Sequence, residues 1–282
     1  MGLILLNHKS EHNIEKILLL LEESYYALEM QQKDKKEINQ LSEYIYILSW
    51  FYRRVNKFKK ALEFTNEGIG KYNSDPRFYH SKSLIYYNKY IKDDKPDLID
   101  YISFKEIQDN IIDNVNKAID KYEYILESNT TKLTKYIKGN IISLLNLKLY
   151  VIIIFILKEY KKKAKIIELS KLKDFGYPNI EDLRKNLLDE IRHITFDLFK
   201  ELDMEGEENN KLYAEIDHTE AVLEIVEAIY LKNNNDDTYK EKIKESKKAI
   251  EKALNLAEKN HTLYKNTQNL ITKISNQLQQ KI

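Results

Sequence analysis

The chain has 282 residues, of which 46 are basic and 45 acidic, so its formal net charge is +1. This balance excludes a strong overall field that would attract nucleic acid or an anionic membrane. The chain contains no cysteine, which excludes disulfides, thiolate nucleophiles and cysteine-bound metal centres. Six glycines and three prolines are too few for a fold with many tight turns, so the composition predicts an all-α protein.

The first residues, MGLILLNHKSEHN, have too short an apolar run for a signal peptide, and no basic region precedes that run. Gly2 could begin an N-myristoylation motif, but Leu6 occupies the position at which that motif requires Ser or Thr. Together with the absence of cysteine, these features predict a cytoplasmic protein.

A first helix is predicted from about Glu11 to Gln32, and a basic stretch from Lys33 to Lys36 ends it. Most of its apolar surface is expected to come from Leu18, Leu21, Tyr25, Leu28 and Met30.

The stretch from Ser42 to Tyr72 predicts two short helices joined at Asn56, a residue that tolerates a left-handed turn. In the first helix an apolar stripe runs beside the small Ser49, and its members are Ile45, Leu48 and Tyr52. The second helix has a stripe of Phe58, Ala61, Phe64, Gly68 and Ile69. Small residues within these stripes predict that the two helices pack at short range.

This order of large, small and aromatic residues resembles the tetratricopeptide repeat, a helix-turn-helix unit of about 34 residues. The positions that match the family's pattern are Leu48 with Ser49, then Tyr52, Phe58, Ala61 and Phe64. The pattern is not followed at Ile45, Thr65 and Gly68, where the family has Trp, an aromatic residue and Ala. The resemblance implies an α-solenoid of about ten to twelve antiparallel helices.

We therefore predict one helical-repeat domain over residues 1–282, most repeat-like over 42–126, with a possible sub-boundary near 174–179. A weaker second copy begins at Pro76 with Ser83 as its small residue. Its second helix is expected to resume near Phe104, after a polar insertion, and to carry Ala118 in its stripe. A third candidate pairs a helix from about Leu212 to Leu231 with one that carries Ala249, Ala253 and Ala257.

The most apolar stretch runs from Ile141 to Lys158 and approaches the length of a membrane span. Asn146 and Lys148 interrupt it, and lysines flank it on both sides, so no orientation bias is visible. We therefore predict a buried central helix, around which the solenoid closes, in preference to a membrane span.

After a break at residues 176–178, the pattern predicts four further helices. The first runs from about Ile180 to Leu202, and a turn over Glu205 to Asn210 separates it from a helix that ends near Lys232. A polar loop from Asn233 to Asp237 follows, and two helices that begin near Thr238 and Thr262 finish the chain.

Three spacings match metal-binding patterns. His8 to His12 fit the H-x-x-E-H pattern of some metalloproteases. Two E-x-x-H pairs of the kind that ferritin-like di-iron proteins use are formed by Glu190 with His193 and by Glu215 with His218. A polar N-terminal turn and ordinary surface Glu-His spacing are the simpler interpretations, so we predict no metal ion and no cofactor.

Because no recognisable catalytic constellation occurs, the sequence predicts a non-catalytic scaffold or adaptor that binds a protein or peptide. Two alternatives stay open. One is a peptide-sensing regulatory domain, and the other is a helical metal-dependent enzyme that uses the paired E-x-x-H motifs. Neither specific nucleic-acid binding nor a membrane span is expected.

The resemblance also implies a binding surface, because in the repeat family the first helix of each pair lines the concave face. The candidate groove residues are Tyr46, Trp50, Arg53, Arg54, Arg77, His80 and Tyr87. Arginine with tryptophan can clamp a carboxylate and bury an apolar anchor, so the expected partner offers an acidic segment with such an anchor. The alternative is that Trp50 packs against the first helix and the arginines are solvated.

Overall fold

The computed structural model of the chain describes residues 11–31, 35–92, 103–128, 134–162, 171–202, 207–257 and 262–279. Within these ranges there are 13 α-helical segments and no strand, and because π-helical segments join some of them they form about 11 continuous helices. This confirms the all-α class. The chain divides into two compact units, Met1–Glu127 (unit 1) and Ser128–Ile282 (unit 2), and each buries its own apolar side chains. A solenoid of antiparallel pairs that forms one continuous domain stays a prediction.

Unit 1 consists of helices that pack mainly against their neighbours in the chain, and α2 also packs against α4. The helices are α1 (Glu11–Gln31), α2 (Lys35–Arg54), α3 (Phe58–Lys71), α4 (Pro76–Tyr87), α5 (Phe104–Ile107) and α6 (Asp113–Ser128). Two π-helical segments, Asn88–Lys92 and Gln108–Ile112, continue α4 and join α5 to α6.

Helix α1 buries only part of its apolar surface. Leu18 and Tyr25 are buried, as predicted, but the predicted contribution of Met30 is wrong because its side chain is 89% exposed. Met30 lies five residues after Tyr25, and five residues turn an α-helix by about 140° beyond a full turn, away from the covered face.

The turn between α2 and α3 has the predicted left-handed residue, since Asn56 has φ 58°. The amide of Lys57 donates to the carbonyl of Tyr52 over 2.9 Å, which closes the end of α2 in a Schellman-type arrangement. Ile45, Leu48, Tyr52, Ala61 and Phe64 are all buried in the core of unit 1, as the stripes predicted.

A layer of small and hydroxyl-bearing residues joins α2, α3 and α4. The hydroxyl of Ser49 lies 2.6 Å from that of Thr65 and 2.8 Å from that of Ser81, and all three side chains are buried. On α3, a Cβ atom added to Gly68 would lie 2.2 Å from the ring of Phe78. Close packing of these helices therefore depends on side chains that leave room.

The second repeat-like pair begins where the sequence predicted. Asp75 caps α4 by accepting a hydrogen bond from the amide of Arg77, and Pro76 occupies the first helical position. Ser103 starts the next helix with a capping box, so the helix resumes at Phe104, and Ala118 is fully buried. The predicted polar insertion lies mostly outside the described residues.

Unit 2 contains the most apolar helix, α7, which packs against α10, α11 and the π-helical segment Arg184–Asp189. Helix α11 in turn packs against α12 and α13. The helices are α7 (Thr134–Lys162), α8 (Lys171–Asp174), α9 (Ile180–Leu183), α10 (Glu190–Leu202), α11 (Glu207–Asn233), α12 (Tyr239–Leu256) and α13 (Thr262–Gln279).

Helix α7 is long and apolar enough to cross a membrane over Tyr136–Leu157, with a mean hydropathy of 2.2. Of this window 78% is buried inside the protein. The packing agrees with the predicted central helix, because a core helix that is apolar all round needs neighbours on several sides.

The remaining boundaries of unit 2 follow the predicted breaks with one exception. Gly176 has φ 86°, Asn179 caps the helix that begins at Ile180, and Asn235 has φ 58° in the predicted polar loop. The predicted turn over Glu205 to Asn210 is wrong from Glu207 onward, where α11 has already begun.

Candidate binding groove

Helices α2 and α4 of unit 1 carry all seven candidate groove residues. Tyr46, Trp50 and Arg53 follow one another at spacings of four and three residues, which places them on one side of α2. Arg77 and His80 are three residues apart, which places them on one side of α4. Since α2 packs against α4 and the guanidinium of Arg77 lies over the ring of Tyr46, these two sides approach each other; that they form a binding groove stays a prediction.

Arg77 is held by carboxylates of its own unit. Its guanidinium contacts Asp75 at 2.8 Å and Glu43 at 2.5 Å, and it lies 5.0 Å above the ring of Tyr46. Burial by itself would lower the pKa of Arg77, but the hydrogen bonds to Asp75 and Glu43 outweigh burial and raise it. Arg77 therefore joins the start of α4 to α2 through two carboxylates of its own unit.

Trp50 is half-buried and packs against the core of unit 1. Its ring meets Phe51 edge-on at 5.1 Å, and the guanidinium of Arg54 lies 5.2 Å from its centre. Arg54 itself is exposed. Trp50 is thus covered in part by its own unit and open to solvent in part, and the alternative that it packs against the first helix stays a prediction.

Arg53 differs from the other groove arginines because none of the described residues forms an ion pair with it. Its Nε atom is buried and has no hydrogen-bond partner. Burial and the neighbouring charge of Arg54 lower its pKa to about 10, although Tyr46 opposes part of this shift. Arg53 is therefore a partly buried cation that has no counterion among the described residues.

His80 lies beside Arg53 and is neutral at pH 7. Burial, assisted by the charge of Arg53, lowers its pKa to about 4. Its ring meets Tyr122 of α6 edge-on, with centroids 6.4 Å apart. Tyr87 is half-buried seven residues further along the same side of α4.

The two E-x-x-H pairs do not come together. His193 is exposed and lies 3.3 Å from Asp197, whereas His218 is buried and stacks on Tyr264 at 4.6 Å. Among the described side chains, no group of three His, Asp or Glu residues is arranged to hold a metal ion. The H-x-x-E-H spacing at His8 to His12 lies outside the described side chains.

A buried ion network in unit 2 was not predicted from the sequence. Arg184 contacts Glu224 at 2.6 Å and Glu227 at 2.5 Å, and Lys242 lies 3.1 Å from Glu224. The side chain of Glu224 is only 3% exposed, so burial raises its pKa despite the two cations. A signal existed in the sequence, because two glutamates interrupt the apolar run AVLEIVEAIYL.

Comparisons with known proteins do not identify a relative. No protein-family model, no curated protein and no solved structure matches this chain. The likeness to the tetratricopeptide repeat therefore stays a resemblance carried by the residues of unit 1.

Proposed function

We propose that this chain is a non-catalytic scaffold that binds another protein, and that unit 1 does so through the groove between α2 and α4. The observation that carries this proposal is the state of Arg53. Its guanidinium has a buried nitrogen without a hydrogen-bond partner, and none of the described carboxylates pairs with it.

A desolvated arginine without a counterion costs free energy, because its charge has lost hydration and gained no partner. A carboxylate accepts two parallel hydrogen bonds from a guanidinium in a fixed geometry. An aspartate, a glutamate or a C-terminal carboxylate of a partner would therefore supply the interaction that Arg53 lacks.

The neighbours of Arg53 also favour an acidic group. Arg54 adds a second positive charge beside Arg53, which increases the attraction for a negatively charged group. Arg77 is already neutralised by Asp75 and Glu43, so we assign it to the wall of the groove.

The aromatic rings beside these charges provide a place for an apolar anchor. Trp50 and Tyr46 are half-buried, and each has an arginine over its ring. Tryptophan, tyrosine and arginine are the residues most enriched at the centres of protein interfaces. The partner segment should therefore place an acidic residue next to a large apolar one.

Selection from a phage-displayed library of random peptides on the purified chain would test this proposal. We expect enrichment of sequences with an acidic residue beside a large apolar residue. The selected peptide, made synthetically, should bind the Arg53→Gln variant at least about tenfold more weakly, as loss of a charge-assisted hydrogen bond predicts.

Lys59→Gln is the matched control, because it removes one positive charge from an exposed position on α3. Its affinity for the peptide should stay within about twofold of that of the unmodified chain, since salt screens the field of an exposed charge outside the binding surface. Equal affinity of the Arg53→Gln variant and the control would contradict the proposal, as would enrichment of peptides without acidic residues.

A further inference from the structure

Unit 2 contains a cavity of about 440 Å³ between α10, α11 and α12. This volume lies in the range of small-molecule sites. Phe196 and Tyr213 stand on its rim and are 67% and 40% exposed, which is unusual for large apolar side chains. The cavity thus presents aromatic surface that the described part of unit 2 leaves open to solvent.

The acidic side chain in this cavity is Asp217. Its carboxylate is half-buried, and no described residue forms a hydrogen bond or an ion pair with it. Burial is the main cause that raises its pKa, while Lys252 and Arg192 oppose that shift from a distance. Asp217 therefore has lost hydration without gaining a direct partner.

The two cations that line the cavity are otherwise engaged or exposed. Arg192 contacts Glu220 at 2.5 Å, so its charge is largely neutralised. Lys252 is exposed on α12 and forms no direct ion pair with Asp217, although its positive charge lowers the pKa of that carboxyl. Asp217 is the only carboxylate among the described side chains that line the cavity, and none of the described residues forms a direct ion pair with it.

From this geometry we propose that the cavity binds a small organic cation, with its ammonium group on Asp217 and its apolar body against Phe196 and Leu256. A carboxylate pairs with an ammonium by charge-assisted hydrogen bonds, and aromatic faces attract the same cation through their quadrupole. The remaining wall is apolar enough to cover a ring or a short alkyl chain, since Ile216 is buried there.

Two probes of similar size and opposite charge test the proposal, namely 2-phenylethylammonium and phenylacetate. Ligand-observed NMR titrations on the full chain should show saturable binding of the ammonium at millimolar concentration and at least about tenfold weaker binding of the carboxylate. Asp217→Asn keeps the shape of the side chain and should weaken binding of the ammonium at least about tenfold.

Asp189→Asn is the matched control, because it removes an exposed carboxylate from the same unit. A second variant, Phe196→Ala, changes an exposed residue and should weaken binding of the ammonium probe. Circular dichroism should show that this variant keeps its fold. Equal binding of the two probes, unchanged binding to Asp217→Asn, or no saturable binding of the ammonium would each overturn the proposal.

Discussion

At the scale of single residues, the packing of unit 1 depends on the small size of a few side chains at the contacts between helices. Gly68 lies where a methyl group would collide with Phe78, and the buried hydroxyls of Ser49 and Thr65 are joined by a hydrogen bond. A buried hydroxyl is tolerated only when it has a hydrogen-bond partner. These positions therefore select for size and polarity together.

Gly68→Ala should destabilise unit 1 by about 1–3 kcal/mol, because the added methyl group forces the ring of Phe78 out of its position. The measurement is urea unfolding followed by circular dichroism. Gly70→Ala is the control on the same helix, since nothing lies within 4 Å of its added Cβ. That control should be neutral or more stable by about 0.5–1 kcal/mol, because alanine has the higher helix propensity. Equal effects of the two substitutions would contradict this account of Gly68.

At the scale of helices, unit 2 joins its elements through charge as well as apolar contact. Arg184 lies on the π-helical segment before α10, Glu224 and Glu227 lie on α11, and Lys242 lies on α12. Their contacts tie three elements at one point. Removing any one member of a buried ion network is strongly destabilising, because the remaining charges stay desolvated without their partner.

Arg184→Gln should therefore lower the unfolding free energy of unit 2 by about 3 kcal/mol, since Glu224 would keep only Lys242 as a cation nearby. Thermal unfolding would measure the change. Lys185→Gln, which removes an exposed charge one residue away, should leave the melting temperature within about 1 °C. The double variant Arg184→Gln with Glu224→Gln should recover part of the loss, and a loss as large as in the single variant would argue against the network as its cause.

At the scale of the whole molecule, the near-balance of charge means that individual groups decide how stability depends on pH. His80 is the group with the clearest consequence in unit 1. Its pKa is about 4 in the folded chain, below the ordinary 6.5 of histidine. Between these two values the unfolded chain binds more protons than the folded one, so stability falls as the pH falls from 6.5 toward 4.

His80→Gln should reduce this dependence, because glutamine does not titrate. We expect the unmodified chain to lose on the order of 1–2 kcal/mol more stability between pH 7 and pH 4.5 than the variant does. Urea unfolding at the two pH values gives the difference, in which the carboxylates common to both chains cancel. A variant with the same pH dependence as the unmodified chain would show that His80 is not the group responsible.

Much of the secondary structure could be predicted from the sequence, because helix signals are local. The left-handed Asn56, the cap of Ile180 by Asn179 and the loop at Asn235 all act within a few residues. The predicted burial of Met30 was wrong because apolar character does not say which side of a helix is covered. The predicted turn over residues 207–210 was wrong because turn composition does not fix where a helix begins.

The candidate groove was predicted only as a set of residues. Spacing along α2 and α4 indicated which side chains share a face, since helix geometry alone decides that. It could not show that Arg77 is enclosed by two carboxylates and Arg53 by none of the described ones, because Glu43 approaches Arg77 from another helix. That Arg53 has no ion pair among the described residues became clear only from the distances between side chains.

By itself, then, the sequence determined the all-α class, most helix boundaries and the stripes that pack in unit 1, because each rests on the periodicity and caps of a single helix. The tertiary structure decided which charges are paired. Glu224 and Asp217 lie seven residues apart on α11, yet the first is enclosed by two cations and the second faces an open cavity. The burial of each carboxylate and its ion-pair partners depend on neighbouring helices, and the local sequence does not determine how those helices are arranged.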